Sequence, residues 1–173
     1  QYNTISVNMQ EILSRSHSIY ELIERFSKLV IRDLKKEYPD VDYFDDTDVI
    51  ECMQDVYSQK KQAFVVILDE WDCIFREYKE DKAAQEKYLD FLRDVLKDKA
   101  YIHLAYMTGI LPIKKYGTHS ALNMFDEFSM IDPGPLAEYV GFTEAEVRML
   151  CEQYQMDMTE VKCWYDGYSF ENE

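Results

Sequence analysis

The apolar positions of this chain change their period from one stretch to the next. Over 2–9, Tyr2, Ile5 and Val7 stand among Asn3, Thr4, Ser6 and Asn8. That near-alternation predicts a half-buried strand close to a sheet edge. From Ile12 the spacing lengthens to three and four, through Leu13, Ile19, Leu22, Ile23, Phe26, Leu29, Val30 and Leu34. One amphipathic helix of about seven turns is expected, ended by Pro39. Asp48, with Glu51 three residues later, caps a helix expected over 49–60. Then Phe64, Val65, Val66, Ile67 and Leu68 run without a polar break. A continuous run predicts a strand at 63–69 that is buried on both faces. Ala84, Tyr88, Phe91, Leu92, Val95 and Leu96 predict a helix over 82–98, closed by Lys97 and Lys99. A third strand follows at 101–108. Right-handed crossovers make this order an α/β fold with a parallel sheet, 63–69 in its middle.

Past Gly109 the pattern loosens. Residues 111–117 read as a loop, and 127–131 as one further short strand. Thr143 and Glu146 form a capping box that opens a helix through about 155, and a last short helix covers 158–165. Asp166 and Gly167 mark a turn between aromatic residues, a hairpin whose second strand is missing. The expected organisation is an α/β core over 1–136, with 137–173 a small helical C-terminal extension of the same domain.

Charge removes some functions. The chain carries 34 acids against 19 bases, a net −15, which repels phosphate backbones and argues against direct nucleic-acid binding. No apolar run approaches the about 18 residues of a membrane span, and no signal peptide precedes the fold. The four cysteines (Cys52, Cys73, Cys151 and Cys163) form no C-x-x-C pair and read as small buried hydrophobes of a reducing cytoplasm. His103, inside a strand, reads as packed and hydrogen-bonded. Asp40, Asp42 and Glu51 have calcium-loop spacing, but Asp45 stands where glycine is needed and Phe44 where an oxygen ligand belongs. A solvated loop is the expectation there. Entry at Gln1, without an initiator Met, reads as a fragment or processed product.

The candidate chemistry sits at the carboxyl end of the central strand, where open α/β sheets gather their ligands. Asp69 and Glu70 follow the apolar run directly. This is the pattern of a Walker B strand, in which the first acid holds Mg²⁺ and the second orients or deprotonates the attacking water. The other reading is a core strand followed by acids that start a helix.

Six blocks in order carry a resemblance: 64–72 (Phe-Val-Val-Ile-Leu-Asp-Glu-Trp-Asp), 88–93, 105–114, 120–124, 139–143 and 164–170. Together they resemble the AAA-ATPase-like proteins of bacteria, large predicted P-loop proteins that commonly carry a PD-(D/E)XK nuclease-like domain after the ATPase part. The resemblance implies a partial P-loop NTPase-like, three-layer αβα fold with Mg²⁺ and ATP as cofactors. It makes Asp69 the Mg²⁺-side acid and Glu70 the water-activating acid. It makes Thr108 the sensor that contacts the γ-phosphate or the lytic water. Lys114 and Lys115 are left outside the site.

One departure stands out. The five glycines, at 109, 117, 134, 141 and 167, include no G-x-x-x-x-G-K-[ST] loop. That loop is expected upstream of Tyr2, so the rest of the longer chain is the first expected partner. Without the P-loop strand, self-association through the 101–108 edge is expected as well. The alternative function is a non-catalytic, nucleotide-gated regulatory or interaction module. A nuclease reading of Glu77 and Lys79 (E-x-K) fails, because only seven residues separate Glu70 from Glu77, too few to set the two acids on adjacent strands.

Overall fold

A computed structural model describes residues 2–112, 122–129, 132–139 and 141–165. Three strands, β1 (Asn3–Asn8), β2 (Phe64–Asp69) and β3 (Ile102–Met107), form one parallel sheet in the order β1-β2-β3. The expected pairing and the central place of β2 both hold. Asn8 is level with Asp69, and Leu68 with Met107, so the three carboxyl ends lie side by side.

The connections hold α1 (Met9–Leu13), α2 (Ile19–Glu37), α3 (Val49–Lys60), α4 (Cys73–Glu77) and α5 (Lys82–Leu96). Asp48 caps α3 as expected, its carboxylate accepting the Ile50 and Glu51 N–H groups. The single long helix expected from Ile12 is two helices. Ser14 and Ser16 turn their hydroxyls back on the Glu11 and Ile12 carbonyls, each at 2.8 Å, and end α1. Ser18 then starts α2 by accepting the Glu21 N–H, while the Glu21 carboxylate accepts the His17 N–H. Serines that compete for backbone groups break a helix even where the apolar period runs on.

The sheet meets helices on one face. Each strand is added on the same side of the last, and the right-handed rule for parallel connections then puts both crossovers on the same face. The five helices accordingly touch one another as a single layer. Phe64, Val66 and Leu68 are buried beneath Leu22, Phe26, Met53, Val56, Tyr88 and Leu92. On the other face Val65 and Ile67 are half-buried, and Leu104 and Tyr106 are about half exposed, at 52% and 49%. Two expectations change. Among the described residues this unit has two layers rather than three, and β2 is fully buried on one face only.

His103 also departs from expectation. It sits at the register shift between β2 and β3, is exposed, and stacks on Tyr2 with ring centroids 4.1 Å apart. Asp40 is paired with Lys60, and the backbone of Asp42 is held by the Gln59 carboxamide.

Contacts divide the chain into two compact units, Gln1–Phe125 and Asp126–Glu173, where the sequence pattern draws its division at 136. The second unit holds a 3₁₀ turn (Gly134–Tyr139), α6 (Glu144–Tyr154) and α7 (Met158–Tyr165). The capping box of Thr143 and Glu146 is formed as expected. Residues 127–129 have no strand, and the rest of the segment expected as one lies outside the described residues. So do Lys114, Lys115, Asp166 and Gly167. Cys52, Cys73 and Cys151 are buried, but Cys163 is exposed, against expectation. Among the described residues no helix is long and apolar enough to cross a membrane.

Candidate functional site

Asp69 is the last residue of β2, and its two carboxylate oxygens are met from both neighbouring strands. Oδ1 accepts the Thr108 hydroxyl at 2.5 Å and the Glu70 N–H at 3.1 Å. Oδ2 accepts the Asn8 side-chain N–H at 3.0 Å. Asn8, Asp69 and Thr108 thus join the carboxyl ends of all three strands. The structure brings Asp69 and Thr108 together directly, although 39 positions separate them. Asn8 is a partner that the sequence reading lacks. Its carboxamide oxygen also caps α1 by accepting the Glu11 N–H, so the side chain is fixed at both ends. The register Asn8↔Asp69 was the available signal, and it needs the sheet order before it can be read.

Glu70 leaves the strand with φ +55°. A non-glycine side chain in the left-handed region is uncommon and costs about 1–2 kcal/mol, so it persists only where surrounding bonds impose it. Here the next residue, Trp71, donates its N–H to the Thr108 carbonyl at 3.1 Å, and Thr108 donates its own to Leu68 at 3.0 Å. This hold turns the chain at Glu70. The Glu70 carboxylate then swings to the guanidinium of Arg76 on α4 and forms an ion pair. Glu70 is therefore beside Asp69 in sequence, but its charge is held by Arg76.

Asp72 lies beneath this surface with no exposure. Around it, Trp71, Cys73, Ile74 and Phe75 are all buried, and burial pushes the Cys73 thiol up to about 12. Tyr88, wholly enclosed, donates its hydroxyl to the Trp71 carbonyl at 2.8 Å, and burial raises its phenol well above the ordinary value. The acid-bearing turn stands on a buried, largely apolar base. Glu77 ends α4 and Lys79 follows it in a turn, so the E-x-K pair is not on a strand.

Among the described residues no group of three His, Cys, Asp or Glu side chains could hold a metal by itself. A magnesium site needs no such group, since Mg²⁺ keeps much of its water and takes one or two carboxylates with substrate phosphates. Asp69 is exposed and fits that donor set, with the Thr108 hydroxyl beside it.

Residues 1–118 match the family described as Predicted AAA-ATPase, AAA-ATPase-like. The chain belongs to the AAA-ATPase-like family. A relative is the "Uncharacterized protein in vnfD 5'region" of Azotobacter chroococcum mcd 1. It is 26% identical over 129 residues, which cover 71% of this chain and 25% of that protein. This AAA-ATPase-like chain thus spans about a quarter of the length of the curated relative it matches. No solved structure matches it. The family match takes in all three strands, and with them Asn8, Asp69, Glu70, Asp72 and Thr108.

Proposed function

We propose that the carboxyl end of the sheet is the Walker B and sensor half of a Mg²⁺-dependent ATP-hydrolysing site. The observation that carries this reading is the hydrogen bond of Thr108 to Asp69, with Asn8 on the other oxygen. Open α/β sheets gather ligands at the carboxyl ends of their strands, and in this chain of the family a side-chain network joins three such ends, which supports the reading. Asp69 would hold the ion, and Thr108 would face the terminal phosphate. When bound, Mg²⁺ neutralises charge on the β- and γ-phosphates. Glu70 is the candidate base for the attacking water. Its carboxylate is paired with Arg76 and must leave that guanidinium to accept a proton from the water. The phosphate-cradling amides and lysine of a P-loop come, in this reading, from a segment outside these 173 residues.

A second reading is a nucleotide-gated switch that binds without turnover. The Glu70–Arg76 ion pair favours it, because a paired carboxylate is a poor base. Replacing Glu70 in the full-length protein separates the two. In the catalytic reading Glu70→Gln keeps ATP binding and lowers kcat by about 10²–10⁴-fold, since the amide cannot take the proton. Asp69→Asn instead weakens the dependence on Mg²⁺. ATP binding without turnover in the wild type leaves the switch.

A further inference from the structure

Asp72 is a carboxylate with no exposure, set in the turn between β2 and α4. Its Oδ2 accepts two successive backbone N–H groups from the segment after β3, Ile110 at 3.1 Å and Leu111 at 2.9 Å. Its Oδ1 has no hydrogen-bond partner and faces Arg76 Nη2 at 3.7 Å. Gly109 immediately precedes the two donors. A Cβ there would fall 2.7 Å from Asp72 Oδ1 and 2.8 Å from the Trp71 ring, so only glycine lets the segment come this close.

These contacts lie on both sides of the candidate groups. Thr108 immediately precedes the clamped residues, and its hydroxyl reaches Asp69. Arg76 holds Glu70 and leans on the free oxygen of Asp72. A buried carboxylate that accepts two N–H bonds has little freedom, because each bond lost leaves its buried charge less well satisfied. We propose that Asp72 is a positioning residue. It clamps 109–111 to the turn after β2, so that the Thr108 hydroxyl stays on Asp69, and it steers the Arg76 guanidinium that holds Glu70. One side chain beneath the site thereby fixes its two halves relative to each other. This inference rests on the proposed hydrolytic reading for its kinetic consequence, and on the geometry alone for the clamp.

Three variants of the full-length protein test it, with kcat and KM for ATP as readouts beside melting temperature and amide hydrogen exchange. Asp72→Ala is expected to lower kcat by about 10²-fold while KM for ATP stays within about threefold, as expected when groups are misplaced and binding is intact. Asp72→Asn keeps an oxygen for both N–H groups and should recover most of that loss. Gly109→Ala leaves Asp72 in place but drives the segment off it, and should reproduce the kcat loss even if Asp72→Ala does not fold. Exchange at Ile110 and Leu111 should quicken in Asp72→Ala and Gly109→Ala and remain slow in Asp72→Asn. A folded Asp72→Ala protein with wild-type kcat overturns the proposal, as does an equal loss through KM. If the wild type hydrolyses no ATP, the functional reading fails on its own account and exchange decides the clamp. Unchanged protection of the two amides in Asp72→Ala and Gly109→Ala then overturns it.

Discussion

Among the described residues, four that are not glycine have left-handed backbone: Lys61, Glu70, Asp98 and Gln155, with φ between 54° and 57°. Lys61 and Gln155 end α3 and α6, where the left-handed turn lets the N–H close back on the helix and where glycine is the usual choice. Glu70 ends no helix. The same strain there sits between a strand and the turn of Asp72, held by Trp71 and Thr108. These positions should answer differently to mutation. Lys61→Gly, at an exposed cap with no partner to lose in the left-handed turn, should raise stability by about 1 kcal/mol, read as a higher melting temperature. An unchanged or lower melting temperature would mean that the Lys61 side chain contributes more than its backbone costs. A change at Glu70 would also release Arg76, so backbone strain and ion pair are altered together there.

The elements were mostly legible where one force acted alone. The unbroken run from Phe64 to Leu68 marked β2, and Asp48 marked the start of α3, because burial and capping leave local signatures. The break between α1 and α2 was hidden. Ile12, Leu13, Ile19 and Leu22 keep helical spacing across it, and the serine hydroxyls that interrupt the backbone carry no hydrophobic signal. For the candidate site, Asp69, Glu70 and Thr108 were proposed from strand ends alone, whereas Asn8 and Asp72 entered only with register and burial. Asp72 reads in sequence as one more acid in an acidic chain. The stripe of α2 gives a test at this scale. Phe26 is 3% exposed and packs edge-to-face on Phe91 of α5 at 5.3 Å, tying the two longest helices together. Phe26→Ala should lower unfolding free energy by about 3–5 kcal/mol in a denaturant titration, by lost transfer and an unfilled cavity. A cost below about 1 kcal/mol would mean that the helices close over the gap.

For the molecule as a whole, the buried acids with raised pKa values make stability fall on the alkaline side. Burial pushes the thiols of Cys52 and Cys73 up from 9.0 to about 11 and about 12. It raises the phenols of Tyr88 and Tyr101 as well. Above pH 9.0 the unfolded chain releases thiol protons that the folded chain keeps, so their stabilisation is complete below that point and is lost as pH climbs toward 11 and 12. Melting temperature should accordingly decline from pH 9 upward, and Cys73→Ala should soften the first part of the slope. A flat profile between pH 9 and 11 would show these groups reaching water in the folded state.

The order β1-β2-β3 is also the order of the chain, and that has a bearing on how the sheet is made. A strand emerging from a ribosome finds its partner already present whenever sheet order and chain order agree. Here β2 can settle beside β1 while α5 is still being synthesised, and β3 arrives to a waiting edge. Domains generally fold as units, beginning from the N-terminal side during synthesis. No strand of this sheet has to be inserted between two that have already paired. The first crossover, from Asn8 to Phe64, is then the slow closure, because its long loop must be ordered before any strand pair rewards it.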